Sequence, residues 1–476
     1  MSNQPNNHKP INPQFVVKRI SHGPKHHLFG FHDLVQTNAK GDFALSLEVD
    51  DISHPPLPGE TCAAGVIDLK TGEFRKLHDT HTWNYPQGAR QQWIGDSDLC
   101  VCNDRAEDGN LISVLSDARS LRVIDQFPFP VHCIQAEKQL AFFQDFNRLY
   151  AVGGYGYVGG NQPSRLIDIP ENDGLWIGDL KTKKVDLLLS VRKIAECGER
   201  RPVKTGYPHY VTHGMLNPQG TRIAFLHQYR VPDGGDISRI LTCDLDGQNL
   251  RCLGKGLISH YTWVDNETIF AFGEDLRALS ALREAAWLRI PGILQSMVLA
   301  KKIVRTMRAL KSVKNENNGN TDPKASHYVS KSFMLIRDCE SAERKRIALG
   351  VLTEDGHPMA NPKRHHLLVN DTYPNKAGNR TLMLYDVDNN IRTEIGLFRR
   401  LFKEPDPKTF DAQLSMKGVD PRICAKFPRR DYLFTRSGYH TDLHPRWSFD
   451  GKTVFFDSIH EGTRQVYAVE VEGCFQ

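Results

Sequence analysis

One strand–turn–strand unit recurs along this chain, and that recurrence limits the fold more than any other feature. Clear copies read "HGMLNPQGTRIAFLHQY" from His213, "HYTWVDNETIFAFG" from His260, "HPMANPKRHHLLVNDTY" from His357 and "HPRWSFDGKTVFFDS" from His444. Looser copies begin at His32, Arg90 and His132. Each is a short segment, a polar turn and a run of apolar and β-branched residues, the pattern of a hairpin. A second hairpin follows most copies, as in "AAGVIDLKTGEFRKL" from Ala63, "GLWIGDLKTKKVDLLL" from Gly174 and "TLMLYDVDNNIRTEI" from Thr381. Two hairpins make a four-stranded antiparallel unit. Seven such units with few convincing helices predict an all-β, seven-bladed β-propeller, and repetition across the whole length disfavours two β-sandwiches in tandem.

A propeller ring must close. The last copy supplies three strands, ending at "QVYAVEV", so "FVVKRIS" (15–21) is expected to supply the fourth. The propeller is therefore expected over 15–472, preceded by a disordered tail over 1–14. Blade 5 is split by "LRALSALREAAWLRIPGILQSMVLAKKIVRTMRALKSVK" (276–314), whose apolar spacing predicts an amphipathic helical insertion broken at Pro291 and Gly292. A flexible linker is expected over 314–326.

The insertion carries nine basic residues and one acidic, which leaves 52 basic against 55 acidic elsewhere. All of the net positive charge lies there, and the rest of the chain gives no footprint for nucleic acid. Its longest uncharged run, Ile290–Ala300, is 11 residues, well below the roughly 20 that span a bilayer. Two readings stand: a lid across one propeller face, or a basic helix on an anionic membrane surface. The N-terminus has no apolar core of a secretory signal, and the ten cysteines include no CxxC pair. Reduced buried thiols in a cytoplasmic protein, peripheral on the inner membrane if the insertion is an anchor, are expected.

Aligned by their turns, the seven hairpins open on His32, Arg90, His132, His213, His260, His357 and His444, with Trp93, Trp263 and Trp447 three residues on. Six histidines at one register is far above what 20 in 476 residues give by chance. First strands of blades line the central channel, so a girdle of imidazoles is expected at one height. Hydrogen bonding between blades accounts for two or three of them. A metal site, with Asp442 or Asp33 as the carboxylate, and acid–base catalysis are the other readings. Asp442, His444 and Arg446 fall on one face of an extended strand. "NDRAEDGN" adds Arg105, "NDTYPN" adds Tyr373, and "GGYGYVGG" (153–160) reads as an aromatic covering loop. Asp104, Asp371 and Asp457 recur at second-strand ends and read as structural turn residues. There is no Walker A loop, GxGxxG, HExxH or GxSxG motif, which disfavours nucleotide, dinucleotide, zincin and α/β-hydrolase chemistry.

The histidine-opened repeats, with "NPQGTRIAFLH" and "HPRWSFDGKTVFFDS" the clearest, resemble the oligogalacturonate lyase family and wider propeller-type polysaccharide lyases. The resemblance covers most of residues 15–472 at the level of blade pattern. It implies a cytoplasmic enzyme that binds a divalent metal, manganese, through histidines at the channel mouth and cleaves an anionic, uronate-containing saccharide by β-elimination. The roles that follow are His213, His357, His444 and Asp442 on the metal, and His260 or His32 as base. Tyr373 would be the acid, with Arg90, Arg446 and Arg105 holding carboxylates. The family's closely spaced glutamine-and-histidine ligand cluster is echoed only by "HTDLHP". Rival expectations are a scaffold or sugar-binding propeller docked at a membrane, a glycoside hydrolase, and a polysaccharide-biosynthesis enzyme.

Overall fold

The computed structural model describes residues 11–152, 154–161, 166–199, 203, 208–231, 236–274, 292, 296, 331–375, 377–399 and 437–474. Seven four-stranded antiparallel sheets stand in sequence order around a ring. Blade 1 begins with His26–Leu28, and blades 2 to 7 begin with Gln92–Trp93, Cys133–Gln135, His209–Leu216, Tyr261–Trp263, Met359–Ala360 and Arg446–Trp447. Closure is as expected: Val17–Arg19 is the outer strand of blade 7, with Val17 opposite Val469 and Arg19 opposite Tyr467. The chain is tied down earlier than residue 15, because Asn12 N–H bonds Ile395 O and Ile11 bridges Gly396 on blade 6.

Strands such as "TVFFDS" read as continuous apolar runs because both faces are buried between blades. Side chains alternate sides along a strand. In blade 7, Val454, Phe456, Tyr467 and Val469 pack against Leu382, Leu384 and Ile395 of blade 6. Their neighbours Phe455, Val466 and Ala468 pack against Ala44 and Ile67 of blade 1. The core is thus a series of layers between blades.

Two repeated residues set the local geometry. At the inner turns, Asn38 Oδ1 accepts from Asp42 and Phe43 N–H, Asn217 Oδ1 from Thr221 and Arg222 N–H, and Ser448 Oγ from Lys452 and Thr453 N–H. Gly41, Gly220 and Gly451 take the left-handed conformation that these turns need, with φ of 71°, 61° and 71°. The three register tryptophans staple blades together. The indoles of Trp93, Trp263 and Trp447 donate to the carbonyls of Gln36, Met215 and Met359 on another blade's inner strand.

The chain leaves blade 5 after Gly273 and returns at Ser332, which pairs with Gly273. The expected insertion and linker lie outside the described residues apart from Gly292 and Ser296. Among the described residues no helix is long and apolar enough to cross a membrane. The eight cysteines whose side chains are described are free.

Candidate functional site

The histidine register does not build seven equivalent positions. In blade 4 the inner strand shifts register between Thr212 and Met215, so His213 and Gly214 sit opposite one residue of the neighbouring strand. Blades 2 and 7 do the same. Asn103 N–H bonds Ala89 O below the Gln92–Val101 pair, and Asp457 N–H bonds Leu443 O below the Arg446–Phe455 pair. The first bulge residue is Arg90, His213 or His444, with φ of 53°, 56° and 41°. Left-handed backbone at a non-glycine residue costs on the order of 1–3 kcal/mol and persists where surrounding structure imposes it.

Blade 1 departs further. Its inner strand pairs at Leu28 and resumes pairing at Gln36, and residues 29–35 leave the sheet between them. This excursion carries Phe31, His32 and Asp33 to the axis. Phe31 contacts the rings of His213, His357 and His444, which belong to blades 4, 6 and 7, and only a central position reaches all three. Gly30 enables the turn. Its φ is 129°, and a side chain there would meet the Gln87 and Gly88 backbone within 2.7 Å.

Four imidazoles converge beside Phe31. Ring centroids lie 4.3 Å apart for His357–His444, 4.5 Å for His260–His357 and 5.4 Å for His32–His357. Their outer nitrogens are pinned. His32 Nδ1 meets Pro358 O at 2.9 Å, and His444 Nδ1 meets Gly30 O at 2.9 Å. A carbonyl only accepts, so each Nδ1 carries the proton and each neutral ring leaves a lone pair on Nε2. His357 Nδ1 meets Asp371 Oδ1 at 2.7 Å, and His260 Nδ1 meets Asp355 Oδ1 at 3.0 Å. Asp371 Oδ2 also accepts from His444 N–H, so this one carboxylate positions two ring members.

One ligand atom from each of His357, Asp442 and His444 lies within 4.8 Å of the others, and all three residues are buried. Burial, then the neighbouring His357, holds His32 and His444 well below the usual imidazole range. Burial also depresses His357, but Asp371 outweighs it and raises the group. Asp442 is held well below the usual carboxylate range: burial opposes this, and His440, Arg380 and His357 overcome it. The buried Nε2 of His32 has no hydrogen-bond partner. Imidazole nitrogens, one of them an orphaned Nε2, beside an ionised carboxylate form a donor set that could hold a divalent metal ion.

Other expected residues stand elsewhere. His213 lies outside this triad. Its ring meets Phe31 and Tyr155, and burial, then His260 and Arg90, pushes it down to about 3. Tyr373 joins the site, 5.2 Å from the His357 ring and 6.0 Å from His260, and burial raises its phenol well above the usual range.

The arginines are corrected. Arg90 is buried and grips Asp33 through both terminal nitrogens, at 2.8 and 2.9 Å, so neither Arg90 nor Asp33 is left for a ligand. Arg446 is wholly buried between Asp457, Gln36 and the His444 carbonyl. Arg105 donates to Gly109 O and Val158 O, fastening the segment 154–160. His132 Nδ1 meets Gln144 Nε2 at 3.1 Å, and the amide donates, which gives His132 the opposite tautomer to His32 and His444.

Phe31, Asp355 and Arg380 were missed. The first two sit within two residues of ring histidines, in "GFHD" and "EDGHP", and proximity was their only sequence signal. Arg380, whose Nε lies 3.3 Å from Asp442, gave none.

No protein-family model matches the sequence, and no curated protein matches it. Solved structures do. An oligogalacturonate lyase from Vibrio parahaemolyticus superposes with a TM-score of 0.53 at 11% identity, over 98% of this chain and 96% of that one. An oligogalacturonate lyase in complex with manganese gives 0.52 at 14%, over 97% and 96%. At such identities the likeness establishes the seven-bladed fold.

Proposed function

We propose that this protein is a metal-dependent lyase acting on uronate-containing oligosaccharides by β-elimination. One observation carries the reading: the His357–Asp442–His444 triad at the channel axis, beside an unpartnered Nε2 on His32. His357, Asp442 and His444 would hold a divalent ion with His32 as a further ligand, and manganese is the metal named with one similar lyase. The ion would supply Lewis-acid polarisation of a uronate carboxylate.

The remaining roles belong to the chain. His260 is the base. Its side chain keeps 13% exposure while His32 is sealed, and Asp355 orients it with the lone pair on Nε2. It takes the C5 proton, the C4–O bond breaks, the electron pair becomes the C4=C5 double bond, and the departing oxygen takes a proton from Tyr373. Arg90 and Arg446 are committed internally, so neutralising the substrate's carboxylate would fall to an ion held by His357, Asp442 and His444.

Metal analysis of purified protein, with absorbance of the unsaturated product on uronide oligomers, tests this. Asp442→Asn should lose the metal and the activity together. His260→Ala should keep the metal and lose about 10²–10⁴-fold in rate, the usual worth of general base catalysis. Protein that binds no divalent ion and releases no unsaturated product from any uronide sinks the proposal.

A further inference from the structure

Away from the channel, a cleft of about 490 Å³ opens between blades 2 and 3. Its wall is a stack of aromatic rings. Phe129 and Phe143 lie 5.7 Å apart and 3° from parallel, and Phe143 and Trp176 lie 6.4 Å apart and 9° from parallel. The lining also includes two carboxylates, Asp145 and Asp173. Asp145 caps the short helix Phe146–Ala151 by accepting from Asn147 N–H, and Asp173 accepts from the Trp176 indole at 3.2 Å.

Arg148 is the only cation among the described residues lining the cleft. Its Nε donates to His209 O at 2.8 Å and one terminal nitrogen donates to Ile167 O at 2.7 Å, while Asp173 is 3.7 Å away. Among the described residues lining the cleft, two carboxylates thus face one cation. Burial, then the charge of Asp173, raises Asp145, and burial raises Asp173. A second positive charge would relieve both, and the aromatic rings lining the same cleft suit a cation carried on an apolar body.

We infer that this cleft is a second ligand site, selective for an organic ammonium ion with an aromatic or aliphatic body. The inference is independent of the lyase reading, whose substrate carries the opposite charge. The ammonium sits between Asp145 and Asp173, and the body lies along Phe143 and Trp176.

Calorimetric titration with phenethylammonium, 2-phenylethanol and phenylacetate tests it. Phenethylammonium should bind one to one, at least tenfold more tightly than 2-phenylethanol, with phenylacetate silent. The double variant Asp145→Asn/Asp173→Asn keeps the helix cap and the indole acceptor, because asparagine serves both. It should lose at least tenfold in affinity for phenethylammonium. His444→Ala should leave that affinity unchanged, which separates this site from the channel. Equal binding of phenylacetate, no binding of the amine, or an effect of His444→Ala larger than that of the double variant would each overturn the inference. The ligand comparison on the unaltered protein stands even if the double variant fails to fold.

Discussion

The two sides of the channel mouth use the same residue register for opposite ends. Toward blades 5, 6 and 7, His260, His357 and His444 meet His32, their Nδ1 atoms held by carboxylates or carbonyls. Toward blades 2 and 3, Arg90 closes on Asp33, and His132 Nε2 lies 3.9 Å from the same carboxylate. One arc leaves acceptors open beside an ionised Asp442. The other is a sealed ion pair with its charges matched. The lesson is that a repeated position fixes where a side chain stands, while its second contact fixes what it can do.

Breaking the closed arc should have the largest effect. Arg90→Met strands Asp33 in the interior and should cost about 3–5 kcal/mol of stability by chemical denaturation. Adding Asp33→Leu should restore most of that loss. If the single variant melts like the parent, the arc is not structural.

Asp371→Asn sharpens the open arc. The carboxylate holds both the His357 ring and the His444 backbone, so metal affinity should fall about 10–100-fold by titration. Stability in the metal-free state should change much less than for Arg90→Met.

Beneath both arcs, Trp447→Phe deletes one blade staple and leaves the Met359 carbonyl short of a donor. A loss of about 1–3 kcal/mol is expected in denaturant melts, with metal affinity kept. At the rim, Lys40 bonds Asp98 between blades 1 and 2, but its side chain is 60% exposed. Solvent screens the pair, and Lys40→Met should cost less than about 1 kcal/mol.

Much of the fold was legible. The hairpin copies, the turn residues Asn38, Asn217 and Ser448, and the closing strand around Val17 are local signals with local causes. The site was legible as a list of residues but not as a set of roles. His213 and His444 share a register and a bulge, yet only His444 has Asp442 two residues before it, and His357 completes the triad from the neighbouring blade. Arg90 and Arg446 looked like ligands for an anion. Their partners Asp33 and Asp457 are 57 residues before Arg90 and 11 after Arg446, so spacing alone did not mark either pair as closed.

Sequence by itself determined the repeat, its period, the ring closure and the crowding of histidine at one register. These follow from alternating side chains and turn chemistry, which act over a few residues. Tertiary structure alone decided which imidazoles keep a lone pair. That choice rests on acceptors brought from other parts of the chain: Pro358 for His32, Gly30 for His444, and Asp371 held between two blades. A proton sits on the nitrogen that faces an acceptor, and only the closed ring puts the acceptor there.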